Sequence, residues 1–371
     1  MPIDYNQRKQ TLLERLEKEA LDIALITDPT NIFYLTGFYA DPHERYMSLV
    51  IDAGNRKSAL FLPALDEELA KAFAEVDAIH PISDEMNPFD IVKGAIQKNI
   101  SKIGIEMDVM TVSHQNGLKS ICPNAEYMDI TPELNHMRTF KTPSEVDGLR
   151  HAVSIIETVL EEGLRTIHEG MTEAALTAEF EYLMKRHGAS GPSFSTMVLS
   201  GEKSAMPHGK PGERRLQEGD FLLIDFGVIT NERYCSDITR TFVIGEPTAK
   251  QREIYETVQK STQAGVDAVR AGVPLKSFDI AARDVIESAG YGEYFNNRVG
   301  HGLGIEVHEA PSIHHEDEQI AAPGMVFTIE PGIYIPGFGG VRIEEEVYIN
   351  EDGEPEVLTS FPRNLRSIEL T

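Results

Sequence analysis

The sequence predicts an α/β protein, α+β in the grouping of its later elements, built as a small α/β domain over residues 1–135 and a larger domain over residues 140–371. Three observations carry that expectation. Short apolar strand patterns alternate with helical ones in the first part of the chain. A capping box at Thr142-Pro143-Ser144-Glu145 then opens a run of longer helices. Beyond these, two strand–turn–strand segments carry acidic residues inside otherwise apolar strands.

Leu12, Leu13 and Leu16 have the spacing of a helix over residues 7–20, and residues 22–27 (Asp-Ile-Ala-Leu-Ile-Thr) form a buried strand. Residues 48–52 and 58–62 flank the turn Gly54-Asn55-Arg56 and predict a hairpin, and residues 102–106 predict another short strand. The helix opened by the capping box runs to about Thr166, where Glu169-Gly170 end it. A second helix follows over residues 172–186, stopped by Gly188. Thr248 begins a third with a capping-box spacing to Gln251, and a fourth spans residues 275–289.

Composition narrows the function classes. Asp and Glu number 60 against 34 Lys and Arg, a formal net charge of −26. Such a surface repels phosphate backbones, so nucleic acid is not an expected partner. Cys122 and Cys235 are far apart and form no disulfide framework, which fits a reducing compartment. The N-terminus lacks an apolar signal segment, and no run approaches the ~18–20 apolar residues of a membrane span. A cytoplasmic protein with no membrane partner is expected.

The chemistry sits in the two acidic hairpins. The strands of residues 221–228 and 234–243 flank a turn at Thr230-Asn231-Glu232, and Asp225 and Asp237 are equidistant from Asn231. A symmetric hairpin would set them face to face, where two carboxylates repel unless a cation or a proton lies between them. On this hairpin alone, two ordinary structural aspartates remain an alternative. Glu330 and Glu344 are likewise equidistant from Gly337 and predict a second facing pair. Period-two alternation puts Arg342, Glu344 and Glu346 on one face and Glu345 on the other, which selects Glu344. His301 and His308 lie in the glycine-rich Gly300–Glu309 segment just upstream, as candidate nitrogen donors.

The motifs Ile224-Asp225-Phe226-Gly227, Ser236-Asp237-Ile238-Thr239-Arg240-Thr241, Gly300-His301-Gly302-Leu303-Gly304 with Val307-His308-Glu309, Phe327-Thr328-Ile329-Glu330-Pro331-Gly332 and Gly340-Val341-Arg342-Ile343-Glu344 occur in this order. Together they resemble the pita-bread-fold metallopeptidases, which include methionine aminopeptidase, aminopeptidase P and prolidase. The resemblance covers residues 140–371. The N-terminal region is similar to the creatinase/prolidase N-terminal domain. Its segments Gly37–Arg45 and Leu60–Leu65 look most like those of bacterial Xaa-Pro dipeptidases, the prolidases.

That resemblance implies five ligands, Asp225, Asp237, His301, Glu330 and Glu344, for two divalent ions. Manganese is the expected ion, with cobalt or zinc able to substitute. It implies a metal-bridging hydroxide that attacks the scissile carbonyl, Glu330 as general base, and His208 and His308 as groups that polarise the carbonyl and stabilise the oxyanion. Without it, His208 would read as an ordinary loop histidine. Arg342 is expected to orient Glu344 through an ion pair, with substrate contact as the alternative.

The chain departs from many relatives at Asn297, where they carry a histidine, and some prolidases have an arginine where Ser312 stands. By composition the charged loop Asp41–Arg45 is a solvated surface. In related dimers this region reaches the partner's active site, which implies a homodimer and a lid role for His43 and Arg45, with Asn297 nearby as a further substrate contact. The expected substrate is a small peptide, a dipeptide with proline second. The alternatives are aminopeptidase P activity on Xaa-Pro-Yaa peptides and a non-catalytic pita-bread interaction module. Methionine aminopeptidase needs no such N-terminal domain, and creatinase lacks these metal ligands.

Overall fold

The computed structural model describes residues 3–96 and 99–370, which divide into two compact units meeting in sequence at Met137 and Arg138. The first unit is a six-stranded mixed sheet. Its strands are β1 (Ile23–Ile26), β2 (Ser48–Asp52), β3 (Lys57–Pro63), β4 (Ala78–Ile82), β5 (Lys102–Ile105) and β6 (Glu126–Asp129), in the order β4-β3-β2-β1-β5-β6. The predicted hairpin is the antiparallel β2–β3 pair, while β5 and β6 add in parallel beyond β1. Ile23, Leu25, Val50, Phe61, Ile103 and Ile105 form part of one apolar core with helices Pro88–Ala95 and Val112–Ile121. The first helix, Tyr5–Lys18, buries Leu12, Leu13 and Leu16 as their spacing requires.

The second unit repeats one arrangement. Helices Pro143–Leu164 and Glu173–Arg186 pack on a four-stranded sheet ordered Ser367–Ile368, Ile238–Ile244, Phe221–Phe226, Met197–Ser200. Helices Ala249–Ala268 and Lys276–Ser288 pack on a five-stranded sheet ordered Glu309–Ile313, Gly300–Gly302, Val326–Ile329, Glu345–Ile349, Pro355–Val357. Each pair of layers has its own core: Ile156, Leu160, Phe180, Leu222 and Ile224 in one, Ile254, Val258, Phe278, Phe327 and Val347 in the other. Both predicted capping boxes form, Thr142 with Glu145 and Thr248 with Gln251. The sheets meet where the Glu344 N–H donates to the Thr239 carbonyl at 3.2 Å and the Arg342 N–H to Thr241 Oγ1 at 3.1 Å. Among the described residues no helix is long and apolar enough to cross a membrane, and Cys122 and Cys235 are free and buried.

Candidate metal centre

The four-stranded sheet delivers two aspartates to the seam. Asp225 lies in Phe221–Phe226, and Asp237 directly precedes Ile238–Ile244; both are buried. Their register differs from the symmetric hairpin expected. Asp225 pairs with Thr239 and Phe226 with Ile238, so the two aspartates are not cross-strand neighbours. The loop is centred on Glu232 rather than Asn231: the Thr230 N–H donates to the Tyr234 carbonyl at 2.9 Å, Ile229 bridges Cys235, and Arg233 takes a left-handed φ of 67°. The five-stranded sheet delivers the rest. Ladder pairs Ile329↔Glu345 and Gly332↔Arg342 flank Glu330 and Glu344, which leaves these two opposite each other in the break between ladders. That break frees both carboxylates from the alternation of either ladder.

The neighbouring acids have other partners. Glu345 meets Arg240 at 2.9 Å, and Glu346 Oε1 accepts the Asp237 N–H at 2.7 Å. Glu344 instead enters the cluster. Ligand-capable atoms of Asp225, Asp237 and Glu344 lie within 4.8 Å of one another, as do those of His301, Glu330 and Glu344, and those of Asp237, His301 and His308. His301 Nε2 is 3.2 Å from Glu330 Oε1 and 3.7 Å from Asp237 Oδ2. Its Nδ1 is 3.2 Å from the Gly302 carbonyl, an acceptor, which leaves Nε2 as the nitrogen that donates to Glu330 here and that would ligate a cation.

Burial raises Asp225, and burial with the repulsion of the clustered acids holds Asp237 and Glu344 well above the usual carboxylate range. For Glu330, burial works in the same direction, but the hydrogen bond and charge of His301, then Arg342, outweigh it and keep the group below its ordinary value. Asp237 Oδ1 and Glu344 Oε1 are buried with no hydrogen-bond partner among the described residues. Buried carboxylate oxygens rarely stay unpaired. Four converging carboxylates and one imidazole therefore fit hard divalent cations, with Glu344 common to two of the groups.

Arg342 corrects a second expectation. Its guanidinium lies on Asp225, with Nε 3.9 Å from Glu330 Oε2, and it makes no ion pair with Glu344. It reaches Glu344 through a hydroxyl: Arg342 Nε donates to Thr239 Oγ1 at 3.0 Å, and Thr239 Oγ1 donates to Glu344 Oε2 at 2.9 Å. Arg342 Nη1 also donates to the Tyr334 hydroxyl at 2.7 Å.

A cavity of about 350 Å³ opens on this cluster, with Phe194, Met197, His208, Asn297, Arg298 and His308 among its walls. The His308 ring stands edge-on to His301, centroids 4.1 Å apart. Burial, with His301 beside it, pushes its imidazole down to about 4, so it is neutral at pH 7. Asn297 lines the cavity, but its Nδ2 donates to the Arg298 carbonyl at 3.1 Å. Arg298 and Tyr334 are cavity residues that pattern reading passed over. Arg298 Nη1 donates to Ser312 Oγ at 3.0 Å, so a cation stands beside the position where some prolidases carry an arginine. Its place next to Asn297 in the His301 motif was the available signal.

His43 and Arg45 belong to the first unit. There Arg45 pairs with Asp84 at 2.9 Å and Glu44 at 3.0 Å, while the exposed His43 ring lies 3.5 Å from Asp41.

The sequence profile of metallopeptidase family M24 matches residues 147–351, and that of the creatinase/prolidase N-terminal domain matches residues 8–140. A prolidase from Thermococcus sibiricus is 34% identical with a TM-score of 0.92, over 99% of this chain and 100% of that one. A Xaa-Pro dipeptidase from Bacillus anthracis is 33% identical with a TM-score of 0.90, over 98% of this chain and 100% of that one. An X-Pro aminopeptidase from Thermotoga maritima is 32% identical with a TM-score of 0.86, over 95% of this chain and 100% of that one.

Proposed function

The chain belongs to metallopeptidase family M24, and from that premise we propose that it hydrolyses the Xaa-Pro bond of dipeptides. The observation that carries this reading is the cavity itself. At about 350 Å³ it lies at the small end of ligand sites (~300–1,000 Å³), with carboxylates at its floor and Arg298, His208 and His308 on its walls. A dipeptide has one charge at each end. Its ammonium is attracted by the acidic floor, and its proline carboxylate by the cationic and N–H-bearing walls. Folds like this one occur in both a dipeptidase and an aminopeptidase, so the choice between them rests on recognition of that carboxylate.

Two divalent cations, held by Asp225, Asp237, His301, Glu330 and Glu344, would supply Lewis-acid polarisation of the carbonyl and an acidified water. Around them, Glu330 takes the proton of the attacking water and returns it to the departing proline nitrogen. A neutral His308 donates an N–H to the developing oxyanion, and His208 acts from the other wall. Arg342 fixes Asp225 directly and Glu344 through Thr239, an orienting role rather than a substrate contact. The five grouped ligand candidates disfavour a non-catalytic module.

A panel of Leu-Pro, Leu-Pro-amide, Leu-Pro-Gly and Met-Ala with added Mn²⁺ tests the substrate. Leu-Pro is expected to win, with the amide losing at least about tenfold in kcat/KM, the value of one charge-assisted contact of ~1.4 kcal/mol or more. Arg298→Met should raise KM for Leu-Pro while barely affecting the amide. Efficient cleavage of Leu-Pro-Gly, or indifference to the amide, would move the assignment to aminopeptidase P.

We further propose a homodimer whose Asp41–Arg45 loop closes the partner's site. Lid closure over the proline carboxylate would leave no room for a third residue. Equilibrium sedimentation should show a dimer at assay concentration, and a fully active monomer would refute the lid.

A further inference from the structure

His208 has little to hold it. It is exposed at the cavity wall, between the exposed Met206 and the exposed Lys210, in a segment that leaves the four-stranded sheet at Ser200 and comes back against the start of helix Glu173–Arg186 at Gly212. Inside the segment a 3₁₀ turn, Gly201–Ala205, is followed by two local backbone bonds: the Met206 N–H to the Lys203 carbonyl at 3.0 Å and the Gly209 N–H to the Met206 carbonyl at 2.8 Å. The buried Ser204, whose Oγ accepts the Gly340 N–H at 2.8 Å, pins the 3₁₀ turn, but the exposed imidazole lies beyond it, where its position depends on how the two ends of the loop are held.

One fully buried carboxylate closes that base. Glu173, the first residue of helix Glu173–Arg186, is 0% exposed. Its Oε1 accepts the Ser200 N–H at 2.8 Å and the Ser200 hydroxyl at 2.9 Å, on the outgoing limb. Its Oε2 accepts the Gly212 N–H at 3.1 Å, on the returning limb, and the Lys203 ammonium from within the loop. The Ala174 N–H adds a bond to the Gly212 carbonyl at 3.0 Å. The neck is tight. Gly201 has a φ of +56°, and a Cβ there would come within 2.4 Å of the Arg214 guanidinium. Glu173 thus bonds both limbs from the helix start, beside two direct links between them, Arg214 Nη1 to Ser200 Oγ at 2.6 Å and Lys203 Nζ to the Lys210 carbonyl at 3.1 Å.

We infer that Glu173 is a positioning residue for His208: it staples both limbs of the loop and so fixes where the imidazole meets the substrate. This rests on the catalytic reading of His208 given above. Misplacement of such a group by about 1 Å can cost up to ~10²-fold in rate. Glu173→Gln keeps the volume and one acceptor oxygen, but its amide NH₂ cannot accept, so in either orientation one limb's N–H loses its partner.

The test is a double-mutant cycle of Glu173→Gln with His208→Ala, on whichever peptide of the panel the wild type cleaves best, with metal content and melting temperature measured alongside. The expected result for Glu173→Gln is a loss of about 10- to 100-fold in kcat with KM within about twofold and wild-type metal content. In the His208→Ala background the same change should cost less than about twofold. Lys203→Met, which leaves the carboxylate in place, should show the same non-additivity at smaller size and serves if the glutamine variant does not fold. Equal losses in both backgrounds, or an unchanged kcat in Glu173→Gln, would overturn the inference. A wild type inert toward every Xaa-Pro peptide would instead sink the proposed substrate, while the cycle on the peptide it does cleave still decides the role of Glu173.

Discussion

Asp237→Ala is expected to abolish stoichiometric binding of two divalent ions per chain and to cut kcat/KM by about 10³-fold or more. The expectation follows from its position. Asp237 belongs to two of the three ligand-capable groups, and its Oδ1 has no hydrogen-bond partner among the described residues. Removing it withdraws a donor that other side chains cannot replace. Cation polarisation of a carbonyl contributes several kcal/mol to a transition state, and at 1.36 kcal/mol per tenfold this amounts to about three orders of magnitude. Metal analysis of the dialysed variant, beside hydrolysis with and without added Mn²⁺, checks both halves. Full activity in metal-stripped wild type would defeat the claim, and full metal content with lost activity would move Asp237 from ligand to another role.

His308→Ala should behave in the opposite way, keeping its metal and losing turnover by about 10²- to 10³-fold, the usual cost of one oxyanion donor. His308 stands edge-on to His301 and is neutral at pH 7, so it offers an N–H without competing for a proton. KM should change little, since the contact strengthens as charge develops on the carbonyl oxygen. The geometry also allows a different outcome, because His308 shares a ligand-capable group with Asp237 and His301. One ion lost per chain in His308→Ala would make it a ligand. Metal stoichiometry and kcat, measured on the same preparation, separate the two.

Much of this was legible from residue pattern alone. The capping boxes at Thr142 and Thr248 are local chemistry, and local chemistry marked those helix starts closely. The Glu330–Glu344 register followed from the symmetry of the Gly337 turn. The aspartate hairpin did not, because Arg233 in a left-handed conformation shifts the loop's centre by a residue, and a register slip moves every opposition along the strand. Arg342 was misassigned for a related reason. Alternation along one strand says which face a side chain takes, but its partner, Asp225, comes from the other sheet. Arg298 has no periodicity to announce it. Its part in the cavity depends on the approach of Ser312 from an adjacent strand.

The repeated helix-pair-and-sheet arrangement has a consequence for unfolding. Asp225 and Asp237 come from one half, His301, Glu330 and Glu344 from the other, and each half has its own apolar core. The line between them is thus closed in part by like charges. Arg342 on Asp225 and Arg240 on Glu345 tie the halves across that line, and bound cations would add to this with a free energy that grows with the logarithm of cation concentration. On the proposed reading the reaction centre would double as the mortar of the fold, so heat resistance and catalytic competence are expected to draw on the same ions and the melting temperature to rise with added divalent cation.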